Sequence, residues 1–135
     1  MSGILIDTHV ALWLMSGEAL SPTTVKKVQA ASDEEALFIS PISAWEIATL
    51  VRKERIALTV TPNLWFSQML ATGVGIADMP PETLIASVFL PGEPPADPAD
   101  RIIIATARSE NLTLYTRDNH ILQYGKAGHA RVVRC

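Results

Sequence analysis

Four acidic residues, far apart in a chain of 135 residues, have the types and positions to do metal chemistry together. Asp7 directly follows the apolar triplet Ile4–Ile6, Glu46 interrupts a later apolar stretch, and Asp100 and Asp118 come later still. Carboxylates gathered in a small space repel one another, so such a cluster persists when a divalent cation neutralises it. Oxygen ligands alone favour Mg²⁺ or Mn²⁺. Such an ion can activate water and shield a phosphodiester during in-line attack.

The predicted order of strands and helices explains how these acids could meet. Short buried strands are predicted at 4–6, 37–39, 74–77 and 112–115, with a last one at 132–133. Helices are predicted between them at 9–15, 22–31, 41–53, 62–69, 80–89 and 98–107, with one turn at 120–123. The alternation predicts a single α/β domain over residues 1–135, in which helices cover both faces of a parallel sheet of four or five strands. In such sheets ligands bind beyond the carboxyl ends of the strands, where the four acids would lie.

Each acid also has an ordinary structural interpretation. Asp7 could be the N-cap of the next helix, and Asp118 could be a turn residue. Asp97 is expected to act only as an N-cap before Pro98, while Asp100, in the first helical turn, could merely complement the helix dipole. Glu46 is the hardest to dismiss, because its sequence neighbours are apolar. Taken together, these structural interpretations would require four coincidences at one end of the sheet.

Composition limits the class of protein without excluding a polyanionic substrate. The net charge is −3, but removing the four acids from the 14 acidic residues leaves ten, against 11 Lys and Arg. The single cysteine, Cys135, excludes an intrachain disulfide and a cysteine-based zinc site. No apolar run approaches the ~18 residues that a membrane span needs. We therefore expect a globular cytoplasmic protein without a membrane partner.

Four short motifs, in this order, resemble those of a known family. They are Ile4-Leu5-Ile6-Asp7-Thr8-His9, Ser43-Ala44-Trp45-Glu46-Ile47, Asp97-Pro98-Ala99-Asp100-Arg101 and Thr116-Arg117-Asp118. In combination they resemble the PIN-domain ribonucleases, and more narrowly the VapC-type toxins of type II toxin–antitoxin systems. The resemblance runs from about Ile4 to Val133. It implies a three-layer PIN-like fold and an endoribonuclease that hydrolyses RNA phosphodiester bonds with the help of Mg²⁺ or Mn²⁺.

The resemblance also implies a role for each acid. Asp7, Glu46, Asp100 and Asp118 would be the catalytic and metal-binding residues, with Asp7 and Asp100 as direct ligands. Glu46 would orient or deprotonate the attacking water, or complete the metal shell. Asp118 would be the peripheral member, acting through water.

Three further residues are weaker candidates for substrate binding. Thr8 and Thr116 are expected to form hydrogen bonds in the site, and Arg101 is expected to contact a phosphate. These three roles are implied by motif position alone.

Two protein partners follow from the same resemblance. One is a second copy of the chain, forming a homodimer, and the other is a cognate VapB-like antitoxin that covers the site and a nearby apolar groove. Trp13, Leu14, Trp65, Phe66 and Met69 could line such a groove. The alternative is that they fill the core, as most large apolar residues do.

Other functions remain as alternatives. The chain could be a catalytically degenerate PIN fold that only binds RNA or protein. A haloacid-dehalogenase-type phosphatase would need a second Asp two residues after Asp7, where His9 stands, and no phosphate-binding GxxxxGK[ST] loop is present.

Overall fold

Five short parallel strands form one sheet in the computed structural model of the chain, which describes residues 3–18 and 20–135. Along the sheet the strand order is β3-β2-β1-β4-β5. The strands are β1 Ile4–Ile6, β2 Leu37–Ile39, β3 Gly75–Ile76, β4 Thr113–Thr116 and β5 Val132–Arg134. The prediction of a parallel sheet with four or five strands is confirmed, although β3 is shorter than expected and β4 lies one residue later.

Helices connect the strands, and most of them begin where the sequence places a proline. They are α1 Thr8–Ser16, α2 Pro22–Asp33, α3 Pro41–Arg52, α4 Pro62–Ala71, α5 Pro81–Val88, α6 Pro98–Ser109 and α7 Asn119–Lys126. Proline suits the first helical turn because its missing N–H has no partner there. Side chains of Ser21, Ser40 and Thr61 cap the helices that follow them.

Helix α7 is longer than the single turn predicted at 120–123. The Asp118 side chain accepts a hydrogen bond from the Ile121 N–H at 3.0 Å and so caps the helix. Ile121 and Tyr124 are buried, so the helix gains a packed apolar face. Capping and packing together stabilise a helix whose isolated sequence would be marginal.

The core is divided between the two faces of the sheet, because successive strand residues point to opposite sides. Ile4 and Ile6 pack into a cluster with residues of α1 to α4, whereas Leu5 packs with residues of α6 and α7. Trp65 and Met69 belong to the first cluster and are buried, which confirms the core interpretation for these two. The fold therefore has three layers, as predicted.

Strand β1 lies at the centre of the sheet, and its register brings the strand ends together. Ile6 is opposite Ile39 of β2 and Tyr115 of β4. The residues that follow β1, β2 and β4 therefore lie at one edge of the sheet, which we call the carboxyl edge. Within the described part of the chain, no helix is both long and apolar enough to span a membrane.

Candidate functional site

Asp7 stands at the carboxyl edge directly after β1 and is only 7% exposed. One carboxylate oxygen, Oδ1, accepts a hydrogen bond from the Thr8 N–H at 2.8 Å, and the other, Oδ2, accepts one from Thr116 Oγ1 at 2.6 Å. Burial raises the pKa of Asp7 although both hydrogen bonds oppose the shift. Asp7 therefore caps α1 and also lies at the edge where a ligand is expected.

Two buried threonines hold the acids in place. Thr8 Oγ1 donates to Glu46 Oε1 at 2.5 Å and also contacts Ser43 Oγ at 2.8 Å. Thr116 Oγ1, which donates to Asp7, accepts a hydrogen bond from the Asp118 N–H at 3.0 Å. Thr8 and Thr116 are 1% and 0% exposed, so their geometry favours positioning of acids over contact with a substrate. Their assignment to substrate binding stays a prediction.

Glu46 lies in the second turn of α3 and is half-buried. Burial raises its pKa, the negative charges of Asp7 and Asp97 raise it further, and the hydrogen bond from Thr8 opposes them. Through Thr8, Glu46 lies on the same side of the molecule as Asp7. Glu46 therefore lies at the site and not on an outer face, although its neighbours in the sequence are apolar.

Asp100 lies in the first turn of α6, where it is half-buried. Burial is the largest cause that raises its pKa to about 7, and the charges of Asp7, Asp97, Asp118 and Glu46 add to it. All of these causes oppose the charged form. The charge of Asp100 is thus opposed by its surroundings.

Asp97 contributes more than the sequence suggested. Its Oδ1 accepts a hydrogen bond from the Asp100 N–H at 3.0 Å, so the predicted N-cap is present. However, Glu46, Asp97 and Asp100 each also place one carboxylate oxygen within 4.8 Å of the other two. The cap is thus confirmed, whereas the expectation that Asp97 acts only as a cap stays a prediction beside this second arrangement. The spacing of three residues between Asp97 and Asp100, which puts both on one side of a helix start, was the signal for this.

Asp118 follows β4 at the carboxyl edge, and the peripheral role that the resemblance implies for it stays a prediction. It is half-buried, caps α7 through Oδ1, and its negative charge raises the pKa values of Asp7 and Asp100. Asp118 therefore caps a helix and also contributes negative charge to the site.

The guanidinium of Arg101 donates hydrogen bonds to backbone carbonyls, which differs from the phosphate contact predicted for it. Its Nε and Nη2 donate to the carbonyls of Ser87 and Val88 at 3.0 Å each, and its Nη1 donates to the carbonyl of Pro95 at 3.1 Å. Arg101 thus ties the end of α5 to the proline-rich loop before α6. Its phosphate contact stays a prediction, to be weighed against this structural role.

The donor set fits a hard divalent cation. Glu46, Asp97 and Asp100 offer oxygen atoms close enough to share one ion, and Asp7 lies near enough to raise the pKa values of Glu46 and Asp100. Mg²⁺ and Mn²⁺ prefer such oxygen ligands and commonly keep water and phosphate oxygens as well. The sequence predicts Asp7, Glu46, Asp100 and Asp118 as metal-binding residues. Glu46 and Asp100 form this group of three together with Asp97, and the assignment of all four acids to the metal stays a prediction.

Comparison with known proteins gives a consistent result. The PIN domain family matches residues 4–127. Ribonuclease VapC22 of Mycobacterium tuberculosis is 36% identical over 121 residues, which cover 90% of this chain and 91% of the relative. Among solved structures, a toxin–antitoxin complex from Klebsiella pneumoniae matches with a TM-score of 0.60 and 26% identity, over 97% of this chain and 96% of the other. VapBC2 from Rickettsia felis, bound to a DNA fragment from its promoter, matches the fold with a TM-score of 0.69 at 14% identity, over 97% of each chain.

Proposed function

Because the chain belongs to the PIN-domain family, we propose that it is a metal-dependent endoribonuclease and the toxin of a toxin–antitoxin pair. The observation that carries the proposal is the convergence of Asp7, Glu46, Asp97, Asp100 and Asp118 at the carboxyl edge. A site of this kind suits a phosphodiester, because a cation that relieves the repulsion among the carboxylates can also bind the phosphate. The identity to a ribonuclease over 90% of the chain supports RNA as the substrate.

The acids of α3 and α6, together with Asp7, would hold the ion. Bound Mg²⁺ or Mn²⁺ supplies positive charge that makes water more acidic and shields the phosphate oxygens. Asp7 is fixed by two hydrogen bonds and so presents its carboxylate in one orientation. Asp118 adds negative charge at the periphery, where it would act through water.

Glu46 is the residue we assign to proton transfer. Its Oε1 accepts the hydrogen bond from Thr8, which leaves Oε2 to take a proton from the attacking water. Without a bound ion, burial raises the pKa of Glu46, so its carboxylate takes up a proton more readily than an ordinary glutamate. Water attacks phosphorus, the bond from phosphorus to the 3′ oxygen breaks, and the leaving oxygen gains a proton. The products are a 5′-phosphate and a 3′-hydroxyl.

The test is direct cleavage of RNA by the purified chain. We expect cuts in single-stranded or loop RNA with Mn²⁺ or Mg²⁺, no cuts with EDTA, and 5′-phosphate ends when the products are sequenced. Which RNA is cut depends on loop shape and sequence contacts. A wild-type protein that binds RNA but cuts none of a diverse pool with Mn²⁺ would instead support the degenerate, binding-only PIN domain.

We also propose a VapB-like antitoxin as the partner, which the match to a toxin–antitoxin complex at 26% identity supports. Trp13, Leu14 and Phe66 are only partly buried against the core, so they remain candidates for its contact surface, whereas Trp65 and Met69 do not. Co-expression with a small adjacent reading frame should give a stable complex that does not cut RNA. The homodimer is a separate proposal, checked by light scattering of the purified chain.

A further inference from the structure

A cavity of about 720 Å³ opens directly beside the acidic cluster. Asp97 and Asp100 lie at one end of it, and its walls are the proline-rich loop 91–97 and helix α7. The volume lies within the ~300–1,000 Å³ that is usual for small-molecule sites. A ligand in this cavity would therefore touch the same carboxylates that we propose to hold the ion.

The charges around the cavity disfavour anionic ligands. Its charged lining residues are the acids Glu93, Asp97 and Asp100, and no Lys or Arg of the described chain lines it. A phosphate in the cavity would lie beside these three carboxylates, whereas the guanidinium groups of Arg101 and Arg108 lie outside the lining and donate to the carbonyls of Pro95 and His129. A neutral ligand is thus favoured over an anionic one.

The α7 wall provides groups that contact a flat, neutral, hydrogen-bonding ligand. His120, Gln123, Tyr124 and Ala127 follow the spacing of one helix face and all line the cavity. His120 and Gln123 are exposed there, and Pro94 lies on the opposite wall. The imidazole offers a flat ring, the proline offers an apolar surface, and the amide offers both a donor and an acceptor.

The cavity is held open by contacts that do not involve a ligand. Tyr124 donates from its hydroxyl to the Pro91 carbonyl at 2.6 Å, and its ring lies 5.0 Å from that of His129. Gly92 has a φ of 70°, and a side chain there would collide with the His129 imidazole. On the loop side, Arg101 holds the carbonyl of Pro95. The shape is therefore present before any substrate arrives, which lowers the entropic cost of binding.

We propose that this cavity binds the nucleobase of the nucleotide next to the cleaved bond, with Gln123 contacting the edge of the base. Bases of single-stranded RNA are splayed out, stacked on rings that include histidine, and hydrogen-bonded on their edges by such proteins. The scissile phosphate would lie at the acids while its neighbouring base enters the cavity. The inference rests on the proposed ribonuclease function and adds a specificity residue to it.

The first test uses cleavage. We expect Gln123→Ala to lower kcat/KM about tenfold, the size expected for loss of about one hydrogen bond, and to relax the base preference beside the cut. Gln68→Ala, the same change at an exposed position of α4, is the matched control and should behave as wild type. With a substrate that lacks this one base, wild type and Gln123→Ala should cleave equally slowly. Equal cleavage of intact and abasic RNA by wild type would overturn the inference.

The second test does not need cleavage. Four ribonucleosides are titrated into labelled protein, and amide chemical shifts are followed, with ribose 5-phosphate as the anionic control. At least one nucleoside should shift residues of loop 91–97 and α7 saturably, with a Kd on the order of 1 mM, as suits a single base. Gln123→Ala should weaken this binding at least fivefold, and ribose 5-phosphate should not reproduce the shifts.

The two tests separate the two ideas. Saturable nucleoside binding by a protein that cuts no RNA would refute the proposed ribonuclease and leave the base site standing. Cleavage by a protein whose cavity residues show no saturable shifts, or respond equally to ribose 5-phosphate, would refute the base site alone.

Discussion

The acids at the carboxyl edge fall into two groups, set by whether the end of a strand or a helix carries them. Asp7 and Asp118, which follow strands, accept hydrogen bonds from neighbouring N–H groups, and Asp7 also accepts one from Thr116. We call these the strand acids. Glu46, Asp97 and Asp100 come from α3 and the start of α6, lie within 4.8 Å of one another through one oxygen each, and are called the helix acids.

The difference separates a structural role from an electrostatic one. Hydrogen bonds to a buried carboxylate stabilise its charged form and tie it into the fold. Repulsion among helix acids works against the fold until a cation binds. Asp100, with a pKa of about 7, is the member whose charge is opposed most clearly. Glu46 and Asp97 also accept hydrogen bonds, so the contrast is sharpest between Asp7 and Asp100. Asp7, which two hydrogen bonds tie into the fold, should contribute to stability, whereas Asp100 should contribute to ion binding at the expense of stability.

The largest expected effect is on catalysis by a helix acid. Asp100→Asn keeps the shape but removes a charged ligand, so we expect RNA cleavage with Mn²⁺ to fall about 10³-fold or more, as loss of metal assistance implies. Asp33→Asn, an exposed change at the end of α2, is the control and should leave cleavage unchanged. Near-normal cleavage by a folded Asp100→Asn protein would remove the helix acids from the mechanism.

Removing an acid should change the free energy of unfolding in opposite directions in the two groups. Asp7→Ala deprives the Thr8 N–H and the buried Thr116 hydroxyl of their acceptor and should lower the free energy of unfolding by about 1–3 kcal/mol. Asp100→Ala removes an opposed charge and should raise that free energy at pH 8 in EDTA. Urea denaturation of both variants measures the two effects. If both substitutions change the free energy of unfolding in the same direction, the distinction between strand and helix acids is wrong.

The sheet was predictable because its signals are local. Short apolar runs such as Ile4–Ile6, separated by helices that open on proline, lead to a parallel sheet with little ambiguity. Helix α7 was underestimated, because Gly125 weakens its propensity and its stability comes from burial of Ile121 and Tyr124. Burial of that kind depends on tertiary contacts that no local pattern reports.

The candidate site was predictable in its location but not in its detailed grouping. Strand ends located the acids at one edge, and Glu46 stood out by its apolar context. From the sequence Asp97 is expected only to cap α6, whereas in the structure one of its oxygens also lies within 4.8 Å of oxygens of Glu46 and Asp100. The motif position of Arg101 implies a phosphate contact, but no sequence pattern reports the three backbone carbonyls that accept its hydrogen bonds.

Thr8 connects the two groups, so its variants should have an intermediate effect. Its N–H donates a hydrogen bond to Asp7, and its hydroxyl donates one to Glu46. Thr8→Val keeps the first contact, removes the second and should lower kcat about tenfold, the usual cost of losing a residue that orients a site group. Because the hydroxyl lowers the pKa of Glu46, the acid limb of the pH–rate profile should move to higher pH. Thr8→Ser keeps the hydroxyl and should be close to wild type in both respects; an unshifted profile in Thr8→Val would contradict the assignment of Glu46.

The smallest expected effect is on the pH dependence of melting without metal. The pKa of Asp100 is raised from 3.8 to about 7 in the folded chain, so between these values the folded state holds a proton that the unfolded state has lost. A folded state that binds more protons loses stability as pH rises. The pKa values of Asp7 and Glu46 are shifted in the same direction. In EDTA, the Tm should therefore fall by a few degrees from pH 5 to pH 8, measured by circular dichroism.

Two controls make this prediction specific to the helix acids. Asp100→Asn should reduce the fall in Tm, since one of the titrating groups is gone, while Asp33→Asn should leave it unchanged. Saturating Mg²⁺ binds the deprotonated cluster, so it should raise the Tm more at pH 8 than at pH 5. If the Tm in EDTA instead rises from pH 5 to pH 8, the carboxylates of the helix acids are compensated within the protein, and the contrast between the two groups does not hold.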